Sequence, residues 1–230
     1  GILAVSSNTG SIKIGEMISN DKLYEYLTKF GIGSKTGSGL PGESRGILPK
    51  VADWSGTTAP TVAFGQGYSV TAMQATSVFA TIANNGVRVS PTVIAGTSDS
   101  SGNYTPSATR ESVRVISPET AAQMRLMMES VVSVNGTAPS AAIPGYRVAG
   151  KTGTAQRIDD TCGCYRGYTA SFIGFAPADK PAYVISVTIQ DPKGMHWGGY
   201  LGGPVFKKVM SFVLQSKGIA PTGTKVIPIA

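Results

Sequence analysis

Apolar residues recur at helical spacing near the beginning of the chain. Residues 11–30 predict a helix with a break at residues 19–20, where Asp21 is suited to cap the second half. Residues 31–62 contain many Gly, Pro and Ser residues, which predicts a long loop with short ordered pieces. The first quarter of the chain is therefore expected to hold one interrupted helix and a long connection.

Two more helices show sequence signals at their first residues. Residues 71–74 fit a capping box, and the apolar residues that follow share one helical face. The pair Ser117-Pro118 suits the N-cap and first turn of a helix that is predicted to end near residue 133. Between these helices, the polar residues 96–107 predict a surface hairpin or loop.

The spacing changes to a period of two after residue 145. Three segments predict β-strands, namely residues 146–152, 168–176 and 182–190. The short segment 177–181 has a proline at each end and suits a hairpin turn between the last two strands. Consecutive strands joined in this way predict an antiparallel sheet.

A final helix is predicted over residues 204–215. Four of its apolar residues are expected to face the core: Phe206, Val209, Phe212 and Val213. Helices first, then consecutive strands and then a closing helix are typical of an α+β fold in which helices flank an antiparallel sheet. The domain is predicted over residues 1–218, followed by an extended C-terminal tail over residues 219–230.

Composition excludes several classes of protein. The chain has 230 residues, 41% of them hydrophobic and 14% charged, which is enough to bury a sizeable core. Its two cysteines exclude a disulfide-rich scaffold, and no run approaches the roughly 18 apolar residues of a membrane-spanning helix. The net charge of +7 comes from scattered Lys and Arg residues, so no nucleic-acid partner is predicted.

Two short motifs carry candidate chemistry. Ser6-Ser7-Asn8 stands near the start of the first helical region, and Lys151-Thr152-Gly153-Thr154 lies on the first predicted strand. Ser-x-Asn and Lys-Thr-Gly occur in this order in penicillin-binding proteins and serine β-lactamases. Lys-Thr-Gly also occurs at residues 35–37, in a glycine-rich loop, so the tripeptide alone is a weak signal.

Longer blocks carry a more specific resemblance. Six of them stand in family order and extend over nearly the whole chain: residues 5–10, 40–43, 65–67 with 71–74, 83–86, 149–156 and 203–206. The chain resembles class B penicillin-binding proteins, and most closely the septal D,D-transpeptidases of cell division, of an actinobacterial type. The resemblance implies the penicillin-binding and serine β-lactamase-like transpeptidase fold, with acyl transfer through a serine ester.

The resemblance implies catalytic roles for three residues. Ser6 would relay a proton from the nucleophile towards the leaving amine. Asn8 would hydrogen-bond the lysine of a Ser-x-x-Lys motif and the amide of the substrate. Lys151 would raise the local positive potential, which favours a substrate carboxylate and lowers the pKa of neighbouring proton carriers.

Three further residues are implied to bind the substrate. The hydroxyls of Thr152 and Thr154 would bind the terminal carboxylate of a D-Ala-D-Ala stem peptide or the carboxylate of a β-lactam. Gly153 would let another chain approach closely, and the backbone N–H of Thr154 would be one oxyanion-hole donor. Peptidoglycan stem peptides and β-lactams are thus the expected ligands, and neither a cofactor nor a metal is implied.

The family's nucleophile lies in a Ser-x-x-Lys motif that precedes Ser-x-Asn. In this chain the pattern occurs only at residues 19–22, after Ser-x-Asn and at the helix break, where Ser19 is a typical cap. We therefore expect the chain to be the C-terminal portion of a transpeptidase domain whose N-terminal part is missing. The nucleophile and its lysine are expected on an upstream segment, so the chain alone is predicted to be inactive.

The resemblance also implies a cellular setting and leaves alternatives open. It places the protein on the outer face of the bacterial cytoplasmic membrane, anchored by an N-terminal segment, with membrane proteins of the divisome as partners. A D,D-carboxypeptidase remains an alternative, as does a non-catalytic β-lactam sensor or scaffolding domain. A class A β-lactamase would have Ser-Asp-Asn where this chain has Ser-Ser-Asn. Ser6 and Asn8 could also simply cap the following helix.

Three other residues have side chains that can form a disulfide, bind a metal or take part in catalysis. Cys162 and Cys164 lie between the first two predicted strands, and a disulfide and free thiols both remain open. A metal is less favoured because a single Cys-x-Cys supplies at most half of a zinc site. His196 is the only histidine and has no Gly-x-Ser-x-Gly motif to partner it, which predicts a surface or packed residue.

Overall fold

The computed structural model describes residues 1–108, 110–159 and 161–223. Within them the chain forms seven α-helices: α1 (Ile2–Val5), α2 (Asn8–Gly15), α3 (Asn20–Lys29), α4 (Thr58–Ala63), α5 (Ala72–Ala83), α6 (Pro118–Glu129) and α7 (Gly198–Ser216). Single 3₁₀ turns cover Val51–Asp53, Ser130–Val132 and Pro139–Ala141. Four short strands pair two by two, β1 (Val87–Val89) with β4 (Ser112–Arg114) and β2 (Gly96–Ser98) with β3 (Tyr104–Pro106).

The principal sheet is antiparallel and consists of β5 (Ala149–Asp159), β6 (Cys164–Ala176) and β7 (Tyr183–Gln190), in the order β5-β6-β7. It confirms the predicted α+β class. The first strand begins at Ala149 rather than residue 146 and continues to Asp159, because its second half pairs with the first half of β6, which begins at Cys164 rather than residue 168. One register shift, between Gln156 and Ile158, interrupts this ladder.

The starts of α3, α5 and α6 follow the predicted caps with one correction, whereas α7 begins at Gly198 rather than at residue 204. The capping box of α5 is present, since the Thr71 hydroxyl accepts from the Gln74 N–H at 3.1 Å and the Gln74 amide oxygen accepts from the Thr71 N–H at 2.8 Å. The helix break at residues 19–20 is also present. Asp21 is not the cap of α3, however: Ser19 Oγ accepts from the Lys22 N–H at 3.2 Å, because Ser19 has the extended backbone that an N-cap requires.

The orientation of α7 differs from the prediction. Phe206, Met210 and Leu214 are fully buried against the sheet, and Phe206 meets Phe172 edge-on at 4.9 Å. Val209 and Phe212, which were predicted to face the core, are 43% and 70% exposed. Glycines at the beginning of α7 decide the rotation, because four of them lie where a β-carbon would collide with atoms of the sheet or of the neighbouring segment: Gly198, Gly199, Gly202 and Gly203.

The opposite face of the sheet packs on α5 and α6. Ala149 and Phe175 meet Ile82 and Met128 there in a second apolar cluster. This arrangement leaves the β5 edge between two layers of helices, with α7 on one side and the α5–α6 layer on the other. None of the helices in residues 1–108, 110–159 and 161–223 is long and apolar enough to cross a lipid bilayer.

The predicted tail begins in contact with the domain. The Ile219 N–H donates to the Leu214 carbonyl at 2.9 Å, the Tyr146 hydroxyl donates to the Ile219 carbonyl at 2.6 Å, and the Gly223 N–H donates to the Gly145 carbonyl at 3.0 Å. Residues 224–230 lie outside the described residues. The division into a domain over residues 1–218 and a tail over residues 219–230 therefore stays a prediction.

The two cysteines form a disulfide at the exposed end of the β5–β6 hairpin. Because the bond closes a loop of only three residues, it restricts the unfolded chain by about 1–2 kcal/mol. Reduction with dithiothreitol is expected to lower Tm by only about 2–8 °C. Calorimetry with and without the reductant measures the shift, and the double variant C162S/C164S serves as a reductant-insensitive control. Global unfolding on reduction would contradict this expectation.

Candidate active site

Ser6 lies in the turn that joins α1 to α2. Its backbone is left-handed (φ 55°, ψ 48°), a conformation that costs a residue with a side chain about 1–2 kcal/mol. The neighbouring Ser7, not Ser6 or Asn8, caps α2, since Ser7 Oγ accepts from the Gly10 N–H at 3.1 Å. The alternative of Ser6 and Asn8 as simple helix caps is therefore wrong, and the Ser6 hydroxyl is left for another partner.

Lys151 on β5 is that partner. Its ammonium donates to Ser6 Oγ at 2.8 Å, to the Thr152 carbonyl at 3.1 Å and to Thr152 Oγ1 at 3.2 Å. Lys151 shares a sheet face with Ala149, two residues earlier, which packs on the α5–α6 layer. The structure thus brings into contact one residue from each sequence motif, Ser6 and Lys151, which are 145 residues apart in the chain.

Thr137 joins the two parts of the site. Its N–H donates to the Ala4 carbonyl on α1 at 3.2 Å, and its hydroxyl lies 2.9 Å from the Thr152 hydroxyl on β5. These contacts hold the end of α1 beside the strand that carries Lys151. Sequence reasoning missed Thr137, because no local pattern marks a threonine whose contacts are with two distant segments.

The charge of Lys151 has no acidic partner within salt-bridge distance in residues 1–108, 110–159 and 161–223. Burial lowers the pKa of Lys151 from 10.5 to about 8, because the charged form loses solvation. The ammonium is therefore still mainly charged at neutral pH. The N-terminus of α7 also faces this region and adds the positive end of a 19-residue helix dipole.

Thr154 is tied to the beginning of α7. Thr154 Oγ1 accepts from the Gly198 N–H at 3.2 Å, which satisfies one of the unpaired donors of the helix N-terminus. A hydroxyl that accepts a hydrogen bond still carries its own proton, so Thr154 can donate into the cleft. Its position beside Thr152 lets the two hydroxyls act on one ligand group.

Packing within the chain favours a glycine at residue 153. A β-carbon on Gly153 would lie 2.5 Å from the Ser171 hydroxyl of the neighbouring strand β6. That space is filled by the protein itself. The expected approach of a substrate chain past Gly153 stays a prediction.

A cleft of about 660 Å³ contains most of the residues predicted from the motifs. Its lining residues come from the α1–α2 turn, the end of α4, β5 and the beginning of α7: Val5, Ser6, Asn8, Phe64, Gly65, Gln66, Thr137, Thr152, Gly153, Thr154, Ala155, Trp197, Gly198 and Gly199. Lys151 is not among these lining residues, but its ammonium hydrogen-bonds two of them, Ser6 and Thr152. The paired glycines 198–199 are the one sequence signal that could have pointed to the α7 side of the cleft.

The residues for which the sequence predicts no catalytic role have structural roles. In the other Lys-Thr-Gly, at residues 35–37, the Thr36 N–H donates to Glu43 Oε1 at 2.7 Å, and Thr36 is buried in a folded loop. His196 stacks on Tyr168 with ring centroids 4.1 Å apart. Within the described parts of the chain, no group of three or more His, Cys, Asp or Glu side chains is placed to hold a metal ion.

Comparison with known proteins gives a consistent result. The family model for the penicillin binding protein transpeptidase domain matches residues 1–211. The chain is 42% identical over 229 residues to the penicillin-binding protein PbpB of Mycolicibacterium smegmatis, covering 95% of this chain and 35% of that protein. The chain thus spans about a third of the length of this relative.

Two solved structures are similar over essentially the whole chain. A penicillin-binding protein 3 from Mycobacterium tuberculosis, complexed with ampicillin, superposes with a TM-score of 0.91 at 37% identity, covering 100% of this chain and 54% of that one. The transpeptidase (TP) domain of Burkholderia pseudomallei penicillin-binding protein 3 gives a TM-score of 0.84 at 33% identity, covering 99% of this chain and 66% of that domain structure. The predicted fold is confirmed by these likenesses.

Proposed function

This chain belongs to the penicillin-binding protein transpeptidase family, and we propose that it supplies the substrate cleft of a peptidoglycan D,D-transpeptidase. The observation that carries the proposal is the Lys151 ammonium, which contacts Ser6 and has no acidic partner in the described residues. An unneutralised cation beside a partly enclosed cleft attracts an anion. A D-Ala-D-Ala stem peptide and a β-lactam each present a carboxylate.

The substrate carboxylate would lie between Lys151 and the two threonine hydroxyls. Thr152 is held by Thr137, and Thr154 is held by the beginning of α7, so both hydroxyls are oriented before a ligand binds. The backbone N–H of Thr154 would supply one oxyanion-hole donor. Asn8, which lines the same cleft, would hydrogen-bond the substrate amide.

The nucleophile would be a serine of a Ser-x-x-Lys motif on a segment outside these 230 residues, upstream of Gly1. Its oxygen attacks the carbonyl carbon of the penultimate D-Ala, and the amide C–N bond breaks to leave a serine ester. Ser6 relays the serine proton to the departing D-Ala amine. An acceptor amine then attacks the ester carbonyl and forms the cross-linking amide, while the acyl C–O bond breaks and the amine proton returns to the serine oxygen. A β-lactam would acylate the same serine by opening its ring.

The family assignment also supports a cellular setting for the whole protein. We place the domain on the outer face of the bacterial cytoplasmic membrane, where its peptidoglycan substrate lies. An N-terminal anchor outside these residues and divisome membrane proteins as partners complete this proposal.

A labelling experiment tests the proposed function. The 230-residue chain, and a longer polypeptide from the same gene that includes the upstream segment, are each mixed with a fluorescent penicillin and examined by denaturing gel and intact mass. We expect label only on the longer polypeptide, on the serine of Ser-x-x-Lys. The variant S19A should keep its label, because Ser19 is a helix cap in this structure.

Other labelling results would contradict the proposal. Label on Ser6 or Ser19 in the 230-residue chain would refute the external nucleophile. No label on either polypeptide would favour a non-catalytic scaffolding domain. Release of D-Ala from a stem peptide without transfer to an added amine would favour a D,D-carboxypeptidase.

A further inference from the structure

The hairpin that joins β5 to β6 ends in a disulfide that no other part of the described structure covers. Cys162 and Cys164 are both exposed. The nearest large apolar side chains of the hairpin, Ile158 and Tyr165, are themselves 63% and 60% exposed. Exposed disulfides are the ones that exchange readily with external thiols, whereas structural disulfides resist reduction. The position of this bond therefore points to exchange chemistry.

Backbone hydrogen bonds hold the turn without help from the sulfur atoms. The Cys162 and Gly163 N–H groups both donate to the Asp159 carbonyl, at 3.2 and 2.8 Å. One Asp159 carboxylate oxygen accepts from the Thr161 N–H at 2.9 Å and from the Thr161 hydroxyl at 2.5 Å. Asp159 also pairs with Cys164 in the ladder, and the two cysteine Cα atoms lie 5.2 Å apart. These bonds do not involve sulfur, so the two thiols should remain neighbours after reduction.

Asp159 is placed to support the turn in the reduced state as well. The Cys162 sulfur lies 3.7 Å from the Asp159 carbonyl oxygen, within reach of the weak hydrogen bond that a thiol donates. The side-chain hydrogen bond from Thr161 lowers the pKa of the Asp159 carboxyl, so this acceptor is ionised at neutral pH. Arg166 contacts the same carboxylate at 3.2 Å. One residue thus organises the turn whether or not the S–S bond is present.

The hairpin tip is separated from the cleft by an irregularity in the sheet. The register shift between Gln156 and Ile158 divides the β5–β6 ladder. Two ladder pairs lie beyond it, and the outer one is formed by Asp159 and Cys164. Ala155, on the inner side of the shift, still lines the cleft, whereas the cysteines do not. An external protein could therefore reach the disulfide without entering the cleft.

We propose that Cys162 and Cys164 form a reversible exchange site for a dithiol, in particular the paired thiols of a thiol–disulfide oxidoreductase. A thiolate of the dithiol attacks one cysteine sulfur and forms a mixed disulfide, and the other cysteine leaves as a thiolate that takes up a proton. The second thiol of the dithiol then loses its proton, attacks the mixed disulfide and releases the first cysteine, which is protonated in turn. The cysteine pair gains two electrons and two protons, and the dithiol is oxidised to its own disulfide.

Dithiothreitol is the probe that tests access to the disulfide. The 230-residue chain is reduced in native buffer and in denaturing urea, samples are quenched with iodoacetamide, and intact mass counts the alkylated cysteines. We expect the two second-order rate constants to agree within about threefold, because the exposed sulfur atoms are reached without unfolding. A native rate constant at least about 100-fold lower than the one in urea would show that reduction requires unfolding, and would overturn the proposal.

Re-oxidation tests the preformed turn. Oxidised glutathione first forms a mixed disulfide with one cysteine, and the other cysteine then attacks it and releases glutathione as a thiol. We expect D159A to slow this closing step roughly 10-fold, because loss of the Thr161 hydrogen bonds lowers the effective concentration of the second thiol. The matched control is D99A, since Asp99 accepts from the Ser101 and Asn103 N–H groups in the β2–β3 hairpin. D99A should close at the unmodified rate.

The mass of the re-oxidised chain separates the outcomes. Recovery of the original mass, with no glutathione retained, would support a reversible site. A persistent glutathione adduct on the unmodified chain would overturn the proposal, because the two cysteines would then not close on each other. Equal closing rates for D159A and the unmodified chain would overturn the preformed turn on which the proposal rests. None of these measurements uses the penicillin label, so their results are independent of the proposed function.

Discussion

Replacing Lys151 by Ala is expected to lower the second-order rate constant for acylation by a fluorescent penicillin by roughly 10²–10³-fold, the usual cost of removing one electrostatic donor from an active site. The measurement uses the longer polypeptide, in which the serine of the proposed Ser-x-x-Lys motif would be acylated. The loss follows from the geometry: without the ammonium, the Ser6 hydroxyl loses its donor at 2.8 Å and the cleft loses the charge that attracts a carboxylate. The matched control is K35A, since Lys35 begins the same tripeptide in a different loop. K35A should acylate at the rate of the unmodified protein.

The pH dependence of the acylation rate should report the ionisation of the same residue, Lys151. Because the pKa of Lys151 is lowered to about 8, the charged fraction falls above that pH, and the acylation rate should fall with it. The loss of the Lys151 proton has the opposite effect on the stability of the fold. Between pH 8 and 10.5 the folded state binds fewer protons at Lys151 than the unfolded state, so this residue favours folding as the pH rises. A fall in rate across this window therefore cannot be assigned to unfolding through Lys151. A rate that rises through pH 8 would indicate that the neutral amine is the active form and would contradict the carboxylate role.

The sequence could predict that Ser6 and Lys151 belong to one candidate site, because each motif has a distinct identity and the family order is preserved; their direct contact was not predicted. It could predict the cap of α5 because the reciprocal hydrogen bonds lie within four residues. Thr137 could not be found in this way. Its position depends on the path of the chain between α6 and β5, and no sequence pattern in residues 133–137 predicts that path.

The predicted orientation of α7 was wrong for a related reason. The helix carries two apolar stripes, and periodicity alone cannot rank them. The choice is made at the beginning of the helix, where glycines permit contact with the sheet and thereby set the rotation of Phe206 towards Phe172.

The buried ion pair of Glu129 with Arg147 is expected to dominate the stability of the region that carries the site. The Arg147 guanidinium donates to both carboxylate oxygens of Glu129, at 2.9 and 2.6 Å, and Glu129 is 1% exposed. The hydrogen bond to Glu129 also raises the pKa of Arg147. Glu129 ends α6, and Arg147 lies two residues before β5, so the pair joins the α5–α6 layer to the strand of Lys151.

E129A should lower the free energy of unfolding by about 3–5 kcal/mol, because it leaves a largely buried guanidinium without its counter-charge. For a domain of this size that corresponds to a fall in Tm of about 6–20 °C, measured by calorimetry or thermal circular dichroism. The matched control is E25A, which removes a carboxylate from two exposed ion pairs on α3 and should leave Tm nearly unchanged. The double variant E129M/R147M should recover much of the loss, because a buried pair replaced by apolar side chains leaves no unpaired charge. If E129A and E25A destabilise equally, the pair does not hold α6 to β5, and the position of Lys151 must depend on the Thr137 contacts instead.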